Sequence, residues 1–403
     1  MAVGIIAEYN PFHNGHRYQI EQIHNKLNNP AIVAVMSGSF TQRGEPAILN
    51  KFIRAESAVK GGCDLVLELP FIYVVRSAQD FARGAVGLLA KLGIVNTLAF
   101  GAEIDDLQAL NQAANISADS QFQNNLINKL DSGISYANAF CQALSEMTLI
   151  DENVLRRPNT ILAIEYLRAL KSTSINPLLI KRTAADYDDK NLHSGISSAS
   201  AIRAAIYNRT PPWNEIAEAV DAEVFLSLKS ADLPSTENLF RPLITKIMFS
   251  KLSNLKSIYA MNEGLENKLM SAAKFSKTYD ELVNLSVSRR YTRSRIQRLL
   301  LYLLMGVTNE QVKLFDAVGA AYARVLAFNQ RGRQLLKSMK TAASIPIIIK
   351  TAQHLTSRAV QEYYEDLQIY QQMLTLDIKA TDLQSLLCSN FKPGQDFLTS
   401  VKI

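Results

Sequence analysis

The sequence predicts an α/β fold, a doubly wound parallel sheet, followed by a mainly helical second part. Three observations point there. Through residue 207, short and almost continuously apolar runs alternate with stretches of helical period, the pattern of parallel βαβ units. Beyond NRTPPW (208–213), whose Pro-Pro pair cannot continue a helix, strand-like runs almost vanish. A chain of 403 residues also exceeds what one ordinary core covers, so two units are expected, residues 1–207 and 208–403.

In chain order, VGIIAEY (3–9), AIVAVMSG (31–38), DLVLELP (64–70), NTLAFGA (96–102) and PLLIKRT (177–183) are the expected strands. Their lack of polar alternation is what burial on both faces demands. Between them, His16, Ile20, Ile23 and Leu27 mark one helical stripe in 16–28. NKFIRAESAVK (50–60), SAQDFARGAVGLLAKLG (77–93) and TILAIEYLRAL (160–170) are further helices. In the second part SRIQRLLLYLL (294–304) and AYARVLAF (321–328) are expected to be helical, and PIIIK (346–350) is the main exception. No internal repeat or low-complexity tract is present.

Composition narrows the class. A hydrophobic fraction of 48% with 8% aromatics suits a packed protein rather than a disordered one. Cys63, Cys141 and Cys388 are far apart, which fits a reducing compartment and argues against a disulfide framework or a zinc cluster. The apolar run LLLYLLMGV (299–307) is too short to span a bilayer, and MAVGIIAEYN lacks the basic region and cleavage site of a signal peptide. A cytoplasmic protein is expected, with no membrane association and no obligate protein partner.

The turn NPFHNGH (10–16) follows a strand and opens a helix. That puts backbone N–H groups and a positive helix end at the carboxyl edge of a parallel sheet, where phosphate binds well. Gly15 permits close backbone approach there. His13 and His16 can donate hydrogen bonds to phosphate oxygens and stabilise charge that grows during nucleotidyl transfer. Two plainer readings stand beside this one. His16 shares the stripe of Ile20 and Ile23 and could cap a buried face, and a metal pair is conceivable although no third ligand lies at a recognisable spacing. A second motif, HSGISSASAIRAAI (193–206), offers Ser197, Ser198 and Ser200 as caps or phosphate donors and Arg203 on the first helical turn for the β/γ-phosphates. On its own it reads first as an ordinary capped helix.

HNGH (13–16) together with ISSASAIR (196–203) resembles the HxGH nucleotidyltransferase superfamily. Longer strings, EYNPFHNGH, SGSFTQRGEPA (37–47), DLVLELPF (64–71), FGAE (100–103), RRPNTILAIEYLRAL (156–170) and RYTRSRIQRLLLYLL (290–304), resemble the bacterial tRNA(Met) cytidine acetate ligase family. The hydroxyl before Ile-Arg is Ser200 where Thr is more usual, which keeps the donor and loses a methyl. The resemblance implies a Rossmann-like parallel sheet of the nucleotidyltransferase type. It also implies an enzyme that activates acetate with ATP and acetylates N4 of the wobble cytidine of elongator tRNA(Met). By position it implies an ATP site formed by Ile6, Ala7, Glu8, Tyr9, Asn10, Pro11, Phe12, His13, Asn14, Gly15, His16, Arg17, Tyr18 and Gln19, with Gly101, Asn159, Arg182, Ser200 and Arg203. His13, His16, Lys51 and Arg203 are the expected catalytic residues. Lys51 and Arg54 share one face at spacing three and could serve pyrophosphate or acetate, or could be solvated charges. Mg2+ is expected to accompany ATP, held by phosphates and water rather than by a structural metal site.

Residues 282–309 contain five arginines, Arg289, Arg290, Arg293, Arg295 and Arg298, and no acid. Residues 317–361 are free of acids as well and carry Arg324, Arg331 and Arg333 among other basic residues. With Tyr291, Tyr322 and Phe328 interleaved, both stretches look like a surface that tracks RNA phosphates. Five arginines on single-stranded phosphates would weaken binding about a hundredfold between roughly 50 and 200 mM salt. Two other readings compete: a nucleotidyltransferase for a small phosphate ester, which leaves the basic half unexplained, and a non-catalytic RNA-binding protein built on the nucleotide fold, which would not require the histidines.

Overall fold

The structure is a computed structural model that describes residues 2–117, 119–182, 192, 196–362 and 365–403. Thr183, at the end of the expected fifth strand, and His193 to Gly195, at the start of the serine motif, lie outside the described residues.

Strands form where the apolar runs predict them: β1 (Ala2–Ala7), β2 (Ala31–Ser37), β3 (Leu65–Leu69), β4 (Val95–Ala102) and β5 (Asn176–Lys181). All pair in parallel, in the order β5-β4-β1-β2-β3. Their side chains divide between two cores. Val33 and Val35 join one face and Ile32, Ala34 and Met36 the other; Leu65, Leu67 and Leu69 part from Val66 in the same way. A strand with a core on each side has no place for polar residues, which is why these runs are continuous.

Helices α1 (Asn14–Leu27), α2 (Lys51–Lys60), α3 (Ala78–Lys91), α4 (Pro158–Leu170) and α5 (Ala199–Ile206) supply those cores. Ile20 and Ile23 of α1, Phe52 and Ala55 of α2 and Ile202 of α5 line one face; Phe81 and Leu89 of α3 and Ile164 of α4 line the other. Leu27, at the end of the expected stripe of α1, is exposed. Strand order runs outward from β1 to β3, then the chain crosses to β4 on the other side of β1. The crevice between the carboxyl ends of β1 and β4 is therefore the switch point at which such sheets bind ligands.

The second half is mainly helical as expected and departs from expectation at one segment. Its helices include α6 (Arg293–Met305), α7 (Gln330–Ala342), α8 (Ile369–Leu386) and α9 (Gln395–Leu398). AYARVLAF, read as helical, is instead a strand, β6 (Ala323–Phe328), antiparallel to β3. β7 (Ile347–Ile348), within PIIIK, pairs in parallel with β6. A short apolar run has no period that separates a buried strand from a buried helix, and here the open edge of β3 decides. The sheet thus continues across the division at 207/208, with seven strands in order β5-β4-β1-β2-β3-β6-β7.

A buried ionic cluster fastens the added strands. The Lys51 ammonium lies 2.8 and 2.9 Å from the two carboxylate oxygens of Glu68 and 2.7 Å from Asp396. Arg324 reaches Glu68 at 3.2 Å and donates to Asp396. Despite burial, Arg324 and Lys51 hold the Asp396 carboxyl below the usual range. Asp377 of α8 accepts from Tyr322 and from Phe71 N at 2.7 Å, and burial, aided by Glu68, pushes its carboxyl up to about 8. These contacts correct two expectations. Lys51, fully buried among carboxylates, is no solvated charge, and Arg324, 3% exposed, is no surface contact.

Candidate active site

The turn after β1 closes into a reciprocal cap. His13 is the N-cap of α1, with Nδ1 accepting from Gly15 N at 3.0 Å, while His16 Nδ1 accepts from His13 N at 3.2 Å. An imidazole that accepts at Nδ1 is neutral with its proton on Nε2, a tautomer assigned from this hydrogen-bond pattern. Burial lowers the His13 pKa to about 3, helped by the charges of Arg182 and Arg203. Burial, His13 and Arg182 likewise hold His16 well below its ordinary value. With ring centroids 3.8 Å apart, the pair offers two uncharged donors beside a helix N-terminus. Helix capping and phosphate binding are compatible in this pair: Nδ1 caps and Nε2–H is left over. Gly15 is required by this geometry, since a Cβ there would sit 2.9 Å from His13 Cε1.

Around the turn, Tyr9 and Phe12 pack their buried rings on His16, at 4.8 and 5.5 Å between centroids. Pro11 is buried beside them, and Ile6, Ala7 and Glu8 are half-buried at the carboxyl end of β1. Asn10 Oδ1 accepts from Ile48 N at 2.9 Å, while its buried Nδ2 lacks a partner among the described residues. A buried donor without an acceptor is costly unless a ligand supplies one. Asn14 and Arg17 face the second half, with Asn14 donating to Glu218 O at 2.8 Å and Arg17 pairing with Asp221. Tyr18 and Gln19 are half-buried on the first turns of α1.

The serine motif reaches this turn from α5. Ser198 caps that helix by accepting from Ala201 N at 3.0 Å, and Ser197 is buried beside it. Arg203 donates from Nη1 to Asn10 O at 2.8 Å and from Nη2 to Ser200 Oγ at 3.4 Å. Across the crevice, Gly101 on β4 lies beside Arg182 at the end of β5, where an added Cβ would come within 3.0 Å of the Arg182 stem. Asn159 does not cap α4; Arg157 holds that position. Instead Asn159 Nδ2 and Thr160 Oγ1 donate to the two oxygens of Glu103, at 2.7 and 2.9 Å. Glu103 is the last residue of FGAE and was given no role by sequence reasoning, because its partner helix is remote in the chain.

A hairpin between β2 and α2 joins this crevice to the arginine helix. Thr41 N donates to Glu45 O at 2.9 Å and Phe40 bridges Pro46, turning the chain at Gln42–Gly44. Gln42 N donates to Glu8 Oε1 at 2.7 Å, and Gln42 O accepts from Arg298 Nη1 at 3.3 Å. Gly44, at φ +82, packs so closely on α6 that a Cβ would meet Arg298 N at 2.9 Å. Arg54 lies beneath, fully buried, donating to Glu8 O at 2.6 Å and to Gly38 O; like Lys51 it is not a solvated charge.

Residues 1–396 match the family described as HIGH Nucleotidyl Transferase. The chain is 37% identical over 420 residues to the tRNA(Met) cytidine acetate ligase of Acetivibrio thermocellus, covering 100% of this chain and 99% of that protein. It is 38% identical over 399 residues to the ligase of that name from Caldanaerobacter subterraneus, covering 97% and 96%. The chain belongs to the tRNA(Met) cytidine acetate ligase family. The crystal structure of Thermotoga maritima TmcAL in its apo form superposes with a TM-score of 0.89 at 31% identity, and the one bound with alpha-thio ATP with 0.87 at 29%. Each likeness covers 100% of this chain and 99% of the other.

Within this family member the two basic stretches part company. Arg289, Arg290 and Arg293 are exposed and Arg295 and Arg298 half-buried, at the end of α6 that packs on the hairpin. In space they are not free of acids: Arg290 pairs with Glu263 at 2.9 Å and Arg293 with Asp280. Arg331 and Arg333, by contrast, open α7, which runs under the amino edge of the sheet. Arg331 donates to Asn29 O at 3.0 Å, Asn329 N to Asp64 O at 3.0 Å, and Ser344 N beyond the helix to Lys91 O at 3.0 Å. These two arginines therefore lie on the opposite side of the sheet from His13 and His16. Tyr291 and Tyr322 are buried and present no ring to a base. Among the described residues, no group of three His, Cys, Asp or Glu could hold a metal, and no helix is long and apolar enough to cross a membrane.

Proposed function

We propose that this protein activates acetate with ATP and transfers the acetyl group to N4 of the wobble cytidine of elongator tRNA(Met), in the cytoplasm. The observation that carries the chemistry is the pair of neutral histidines whose Nε2–H groups flank a helix N-terminus at the switch point. Acyl donor and acceptor follow the name of the full-length relatives. A carboxylate is inert toward an amide-like exocyclic amine, so activation must come first. Acetate oxygen attacks the α-phosphate, the bond to pyrophosphate breaks, and acetyl-adenylate forms. His13 and His16 donate to the phosphate oxygens where charge develops; staying uncharged, they need no proton change as the pyrophosphate leaves.

Ser200 and Arg203 take the outer phosphates in this reading, which their ties to the turn support. Asn159, held by Glu103, and the Gly101–Arg182 pair form the nucleoside side. Mg2+ bound to the triphosphate would neutralise charge there; the described residues supply no cage for it, so no step is routed through a protein-held metal. Arginines 289 to 298 are the surface for the anticodon loop, whose unpaired bases can be splayed toward the crevice.

The test is an incubation of purified protein with ATP, Mg2+, labelled acetate and bacterial tRNA, followed by nucleoside mass spectrometry. Acetylcytidine that depends on both ATP and acetate is the expected result. ATP consumption without label in tRNA would instead favour a small phosphate ester as substrate, and neither outcome would leave an RNA-binding scaffold.

A further inference from the structure

Acetyl transfer to an amine releases a proton, and the two histidines cannot accept it at Nδ1, which is occupied by backbone donors. A protein carboxylate beside the turn is a candidate acceptor. Glu8 follows β1 directly, five residues before His13, and is half-buried rather than sealed. Its backbone carbonyl is fixed by Arg54 at 2.6 Å, and its Oε1 by Gln42 N at 2.7 Å. The same Gln42 accepts through its carbonyl from Arg298. Glu8 thus stands one residue away from the arginine helix on one side and beside the phosphate-binding turn on the other. Oε2 has no hydrogen-bond partner among the described residues and is the oxygen left for a substrate.

Resting on the acetyl-transfer reading, we propose that Glu8 is the general base that takes the proton from cytidine N4 in the second step. As the N4–C bond forms, the C–O bond to the adenylate phosphate breaks with its electron pair leaving on AMP, and the N4 proton passes to Glu8 Oε2. It then exchanges with solvent when the acetylated loop departs. The environment suits a base that works near neutrality: burial raises the Glu8 carboxyl above the ordinary range, against the Gln42 amide and the charge of Arg203. The charged and titratable groups facing it are Arg203 on α5, Glu45 and Arg43 on the hairpin, Arg54 on α2 and Tyr166 on α4.

Glu8→Gln tests this, because the amide oxygen can still accept from Gln42 N and keep the hairpin seated. Acetate-dependent exchange of labelled pyrophosphate into ATP reads the first step; single-turnover acetylation of tRNA reads the second. The expected result is a fall of about 10²- to 10⁴-fold in transfer, with exchange falling at least tenfold less, and disappearance of the acid limb of the transfer rate. Equal falls in both steps would assign Glu8 to the nucleotide and overturn the proposal, as would transfer that keeps its rate and its acid limb. A wild-type protein that gives neither exchange nor acetylation would overturn the acetyl-transfer reading itself.

Discussion

Lys51→Met separates a catalytic lysine from a structural one. At neutral pH the buried cluster holds two cations, Lys51 and Arg324, against two carboxylates, Glu68 and Asp396, with Asp377 kept protonated by a carboxyl pushed up to about 8. Methionine fills the lysine volume but leaves two carboxylates to share one guanidinium out of water. Removing one partner of a buried pair costs about 3–5 kcal/mol. With a urea slope of about 2–3 kcal/mol per M, the unfolding midpoint drops by about 1–2.5 M. Adding Glu68→Gln restores the balance, one cation against one carboxylate, and should recover at least half of the loss. Circular dichroism through a urea titration of both variants and the wild type reads the cycle. Should Lys51→Met unfold at the wild-type midpoint while pyrophosphate exchange collapses, Lys51 contacts phosphate after all and the buried-cluster argument fails.

Other outcomes follow from the site. His16→Ala lowers pyrophosphate exchange by about 10²- to 10³-fold, whereas His16→Gln, which can present an amide N–H near the Nε2 position, retains more than His16→Asn; equal losses would remove the tautomer argument. Because His13 is held down to about 3, the unfolded chain binds a proton there that the folded chain does not, so its contribution to stability is lost as pH falls below 6.5. Across that window the wild type should lose about 1.4 kcal/mol per pH unit more than His13→Gln in denaturant titrations. Glu103→Ala frees Asn159 and Thr160 and should raise the KM for ATP about tenfold with a smaller change in kcat, checked by steady-state kinetics. In tRNA binding against salt, Arg295→Ala and Arg298→Ala should each lower the log–log slope by about 0.7, while Arg333→Ala, under the far edge of the sheet, changes it less.

How much of this was legible depended on the reach of the interactions involved. The five parallel strands are visible because burial on both faces must be written into each residue of a run such as AIVAVMS, whatever packs there. The histidine turn is visible for a similar reason. A reciprocal cap links His13 to Gly15 and His16, so its spacing is a local necessity and appears as HNGH. Sequence alone thus determined the five parallel strands, the turn and the chemistry of its donors. Tertiary structure decided what the charges do. Lys51, Arg54 and Arg324 look like surface cations in any window, and they are buried only because Glu68, Asp396 and the Gly38 carbonyl arrive from elsewhere in the chain. The strand at Ala323–Phe328 existed as a possibility until the edge of β3 offered it a partner. Glu8 is linked to the arginine helix through Gln42 and Arg298, residues that share no period or motif with it. A charge has no preferred partner in sequence, because its energy is set by distance and by the water that folding removes, and both exist only once the chain has closed.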